Sequence, residues 1–136
     1  MGISSNGILV FGIAYEEDEN DFPWASCDFE EWYSREVCGV KEADFERCDD
    51  YWDARRAAAK SAPVDLVLHC MYDYPMYILA PRNTFVSNSR GFPKEIDVTA
   101  YSLEKQAAWR KVLQEFCETH GIFFKEPKLW LCSLMG

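Results

Sequence analysis

The sequence predicts an α+β fold: a mainly antiparallel sheet of about four to five strands with helices packed on one face. Three observations carry this. Strand-like and helix-like periods alternate irregularly along the chain, as strand, helices, hairpin, strands, helix, strand. "VDLVLHC" (64–70) and "MYILAP" (76–81) flank a short tyrosine-rich connection, the strongest hairpin signal present. Residues 103–119 repeat apolar side chains at the helical period, with Ser102 placed to cap and Gly121 placed to stop the turn.

Each element follows from local chemistry. "GILVFGIAY" (7–15) is rich in β-branched and aromatic residues and reads as a buried strand. "EEDENDFP" (16–23) sets five acids before a proline and reads as a solvated loop. A short helix is expected over 28–37, where Asp28 caps and Glu31 completes a capping box. A second lies within 42–60, with Phe45, Cys48, Tyr51, Trp52 and Arg55 on one stripe and acids preceding bases along the helix dipole. "SAP" at 61–63 stops it. Residues 83–98 supply one or two short strands around turn residues Asn88, Gly91 and Pro93. In the last helix Trp109, Val112, Leu113 and Phe116 form the expected buried stripe, and "KLWLCSL" (128–134) is the closing strand.

At 136 residues the chain reads as one compact domain, 1–136, with residues 16–60 an acidic, partly helical insert. Hydrophobic residues at 49% and aromatics at 15% argue against disorder. No apolar run reaches the ~20 residues that span a bilayer. The N-terminus lacks a basic region before its apolar run, and Asn6 stands where a myristoylation pattern needs Ser or Thr. The expectation is a cytoplasmic protein without membrane association, whose six cysteines are reduced and act as small hydrophobes.

The net charge of −9 is unevenly spread: residues 1–53 hold fifteen acids and three bases, and residues 54–136 hold eight acids and eleven bases. Direct nucleic-acid binding is disfavoured because phosphates are repelled. An acidic segment can dock instead on a basic protein surface. Glu16, Glu17, Asp18, Glu19 and Asp21 are the candidate charges, with Trp24, Trp32, Tyr33, Tyr72 and Tyr74 as aromatic contacts. Aromatic contact faces also serve self-association, so a homodimer is an alternative.

Chemistry-bearing motifs are sparse. His69 and Cys70 are adjacent, but strand alternation sends neighbours to opposite faces, so they form no dyad unless a bulge intervenes. That alternation places Cys70 with Val64, Leu66 and Leu68 toward the core. His69, Cys70 and His120 are the only catalytic candidates retained. No paired cysteines at zinc-ligand spacing, no phosphate loop and no dinucleotide fingerprint occur, so no metal or cofactor is expected. "NSRGFPK" (88–94) sets Arg90 and Lys94 around a glycine turn, an arrangement able to hold a small anion. A nucleotide-like ligand near the His69/Cys70 hairpin is therefore the second functional expectation.

The opening "SSNGILVFGIAYEE", the central "VDLVLHCMYDYPMYILA", the short "SRGFP" and the ending "LQEFCETHGIFFKEPKLWLCSLMG" together resemble small proteins encoded by tailed bacteriophages. The resemblance spans both ends and the middle, is weakest over 16–60, and contains no catalytic signature, so it supplies no site residue. It implies a phage accessory protein that binds a host protein or complex stoichiometrically, as in host takeover or anti-defence inhibition.

Overall fold

The computed structural model describes residues 5–16, 22–24, 28–73, 75–89 and 91–135. Contacts divide the chain into two units, residues 1–20 with 64–136, and residues 21–63.

The first unit is built on five strands: β1 (Ser5–Tyr15), β2 (Val64–Met71), β3 (Pro75–Pro81), β4 (Val86–Ser89) and β5 (Lys128–Met135). The fold is α+β, and every pairing is antiparallel except that of β2 with β5. The pairing returns on itself. β3 pairs with β2, β2 with β5, β5 with β1, and β1 again with β3. β4 lies beside the first half of β1. Ring closure demands staggered strands, and the register shows it: Leu68 reaches Tyr15 through Tyr77, whereas Cys70 reaches Asn6 through Leu134.

Gly12 is where β1 changes partner, from Lys128 of β5 to Leu79 of β3 at the next residue. A β-carbon on Gly12 would lie 2.3 Å from the Leu79 carbonyl oxygen, so only glycine admits so close a crossing. The alternation of side chains then sorts two cores. Ile8, Val10, Val67, Ile78 and Ala80 pack inside the ring, joined by the half-buried Ala14, Trp130, Cys132 and Leu134. On the outer side, α3 (Leu103–His120) packs against β1, β2 and β3. Phe11 meets Trp109 with ring centroids 5.7 Å apart. The Tyr15 hydroxyl donates to the Phe123 carbonyl at 2.7 Å and lies 3.9 Å from Cys117 Sγ.

The caps of α3 are those expected. Ser102 accepts from the Lys105 amide at 3.3 Å, and Gly121 closes the helix at φ 67°. Burial centres on Leu113, Phe116 and Cys117, while Trp109 and Val112 are half-buried. Among the described residues between 83 and 98 a single strand forms, β4.

In the second unit, α1 (Phe29–Trp32) is shorter than expected and passes into a π-turn over Tyr33–Val37. Asp28 caps α1, accepting from the Glu31 amide at 2.6 Å. Glu31 does not complete the box; its carboxylate pairs with Arg35 at 3.2 Å. A 3-10 turn at Glu42–Asp44 precedes α2 (Cys48–Lys60). Arg55 of α2 is buried, pairs with Asp28 and Glu30 at 3.3 Å each, and stacks over Trp52 at 4.7 Å.

Candidate functional site

A cavity of about 490 Å³ is lined by Ala14, His69, Met76, Ile78, Trp130 and Cys132, together with Tyr15, Leu131 and the charged Glu16, Lys125, Glu126 and Lys128. The register explains the assembly. His69 faces Met76 across the β2–β3 pair, Ala14 faces Ile78 across β1–β3, and Val10 and Ile8 face Trp130 and Cys132 across β1–β5. These side chains share the inner side of the ring, whereas Tyr15 and Leu131, which also line the cavity, belong to the other side.

His69 Nε2 is buried and has no hydrogen-bond partner among the described residues. A buried polar atom left unpartnered is costly. Burial holds the His69 imidazole below its ordinary value of 6.5, so the ring is neutral near pH 7. Burial likewise pushes the Cys132 thiol above its ordinary value of 9.0. A thiol held protonated is a weak nucleophile.

The walls are held in place. Trp130 Nε1 donates to the Gly12 carbonyl at 3.0 Å, and Lys125 Nζ to the Ala14 carbonyl at 3.2 Å. Arg110 clamps Glu126 with two bonds, from Nε to Oε1 and from Nη2 to Oε2, and holds its carboxyl below the ordinary range.

The sequence-derived candidates fare unequally. His69 belongs to the cavity. Cys70 does not line it, and it is half-buried rather than part of the core. Its φ of 75° interrupts strand alternation: through Pro75 it aligns with the outer side, and through Leu134 with the inner side. His120, at the end of α3, packs against Phe116 in a tilted arrangement, ring centroids 4.5 Å apart, and does not line the cavity.

Trp24, Trp32 and Tyr33 are buried, at 5%, 7% and 7% exposure, which corrects the expectation that they serve as surface anchors. The reason is mutual packing: Trp24 stacks on Phe22 at 4.6 Å and touches Phe29 and Trp32. Tyr72 and Glu16 are exposed. Lys94 is exposed and approaches the Ser87 carbonyl at 3.4 Å. Glu17, Asp18, Glu19, Asp21, Tyr74 and Arg90 lie outside the described residues.

Among the described residues no group of three or more His, Cys, Asp or Glu side chains is placed to hold a metal. The described cysteines are free. No helix of the described residues is long and apolar enough to cross a membrane. Sequence reasoning missed Met76, Trp130 and Cys132 as site residues. The signal available was the alternation of β5, which sets Trp130, Cys132 and Leu134 on one side and Leu129 and Leu131 on the other.

Neither the protein-family models nor the curated proteins nor the solved structures contain a match to this chain.

Proposed function

We propose that this is a non-enzymatic binding protein whose site is the cavity of the strand ring, receiving an apolar or aromatic group that carries one polar atom. The observation behind this is His69 Nε2, a buried polar atom without a partner among the described residues, on the wall of a cavity that Met76, Ile78 and Trp130 also line. The volume is in the range of small-group sites. A hydroxyl both donates and accepts, so a phenol meets His69 in either imidazole tautomer. The test compares p-cresol with toluene by calorimetry. The expected result is saturable binding with p-cresol tighter by about 3- to 10-fold, as one neutral hydrogen bond provides, and loss of that preference in His69→Phe. Equal affinities in the parent protein, or no binding of either, would remove the reading.

A second reading, stoichiometric binding of a host protein by a phage accessory protein, is favoured by the charge imbalance of residues 1–53 together with exposed Glu16 and Tyr72. A partner with a basic surface fits it. Capture from bacterial lysate should weaken with salt and disappear when the acids at 16–21 are reversed to lysine. Retention by the reversed variant would count against the acidic segment.

A further inference from the structure

Four of the residues that line the cavity are charged, Glu16, Lys125, Glu126 and Lys128, two of each sign. Two of the four are engaged within the chain. Arg110 holds Glu126 through both carboxylate oxygens, and Lys125 donates to the Ala14 carbonyl at 3.2 Å. Glu16 and Lys128 are exposed, and among the described residues neither side chain forms a hydrogen bond or an ion pair.

The register accounts for their places. Glu16 is one residue beyond the Tyr15–Tyr77 pair on β1, and Met76 is one residue beyond it on β3; Met76 in turn faces His69. Lys128 opens β5 opposite Gly12, and alternation sets it on the side of Trp130 and Cys132. Its ammonium is close enough to Glu126 to add, after Arg110, to the lowering of that carboxyl. The cavity thus combines a buried imidazole nitrogen, the apolar side chains of Met76, Ile78 and Trp130, and two exposed charges of opposite sign. A singly charged ligand meets one attraction and one repulsion there, whereas a ligand carrying both signs meets two attractions. A free amino acid carries both on one carbon, and an aromatic side chain leaves its ring for the apolar walls.

We propose that the ligand of the cavity is a free aromatic amino acid with a ring hydroxyl, tyrosine or a close analogue. Its phenol meets His69, its ring lies against Met76 and Trp130, its ammonium faces Glu16 and its carboxylate faces Lys128. Glu126 does not oppose the carboxylate strongly, because Arg110 already balances its charge. The proposal rests on the reading of the cavity as a binding site for a phenol and names the molecule class that carries it.

The test is calorimetry on the full chain at physiological ionic strength, where the field of the distant charges is screened. Four ligands are compared: L-tyrosine, tyramine, which lacks the carboxylate, 3-(4-hydroxyphenyl)propanoate, which lacks the ammonium, and p-cresol, which lacks both. L-Tyrosine is expected to bind tighter than tyramine and tighter than the propanoate by about 2- to 5-fold each, as one exposed ion pair provides. Lys128→Gln should abolish its advantage over tyramine, and Glu16→Gln its advantage over the propanoate. Each comparison is a ratio within one variant, so a change in folding common to all ligands cancels. L-Tyrosine binding no tighter than p-cresol, or either advantage surviving its variant, overturns the proposal. If p-cresol binds with its preference over toluene while L-tyrosine gains nothing, this proposal fails and the cavity reading stands; if neither p-cresol nor L-tyrosine binds, both fail.

Discussion

Trp130 Nε1 lies 3.0 Å from the carbonyl oxygen of Gly12, across the β1–β5 pair, and this bond sets the indole as a wall of the cavity. It satisfies the one polar atom of a half-buried ring. It also ties the ring to the residue at which β1 switches partners. Replacing Trp130 with Phe keeps most of the apolar wall and removes the bond. The expected cost is about 1–2 kcal/mol in urea denaturation, with p-cresol affinity reduced because the wall is no longer fixed. Unchanged stability would show that the bond contributes nothing.

Gly12 itself tests ring closure. Gly12→Ala places a methyl 2.3 Å from the Leu79 oxygen and 2.9 Å from Ile78 Cγ2, and backbone cannot yield as a flexible side chain does. The expected destabilisation is about 3 kcal/mol or more, at the upper end of overpacking. Gly7→Ala, on the same strand with nothing within 4 Å, is the control and should stay within about 0.5 kcal/mol of the parent.

Asp28 has two roles that substitution can separate. It caps α1 and pairs with Arg55. Asp28→Ala should cost about 1 kcal/mol or somewhat more, mostly the cap. Asp28→Ser retains the cap and should cost less than about 1 kcal/mol, because the Asp28 side chain is 67% exposed and its ion pair is screened. If Ser were as damaging as Ala, the ion pair rather than the cap would dominate.

Acid dependence follows from the chain's two histidines, His69 and His120, both held below their ordinary value of 6.5 by burial. A lowered folded value means that the unfolded chain binds the proton more readily. The stability they contribute is therefore complete above about pH 6.5 and is lost as pH falls through the folded values. Asp97 and Glu126 are also lowered, but they titrate below 3.8 and 4.5 and act in a more acidic range. The urea midpoint should fall between pH 7 and pH 5, and the fall should shrink in a His69→Gln, His120→Gln double variant. An equal fall in that variant would assign the effect elsewhere.

Much of the fold was legible because its signals are local. The cap at Ser102, the stop at Gly121, the hairpin at 64–81 and the alternation of residues 128–134 depend on neighbours in sequence. The ring was not legible, because its closure rests on contacts between β1 and β3 and between β2 and β5, whose residues lie far apart in the chain. Alternation placed His69 correctly apart from Cys70, but it failed at Cys70, whose positive φ no side-chain pattern announces. Trp24, Trp32 and Tyr33 were read as surface rings because acids surround them in sequence; in space they pack on one another and on Phe22 and Phe29.

The most direct measurement of the cavity as a binding site is the set of nuclear Overhauser contacts between bound p-cresol and isotope-labelled protein. Contacts to the Met76 methyl, the Ile78 methyls and the Trp130 ring, with the His69 ring shifted on binding, are the expected result. Contacts confined to α3, or saturation without any contact to these residues, would contradict it.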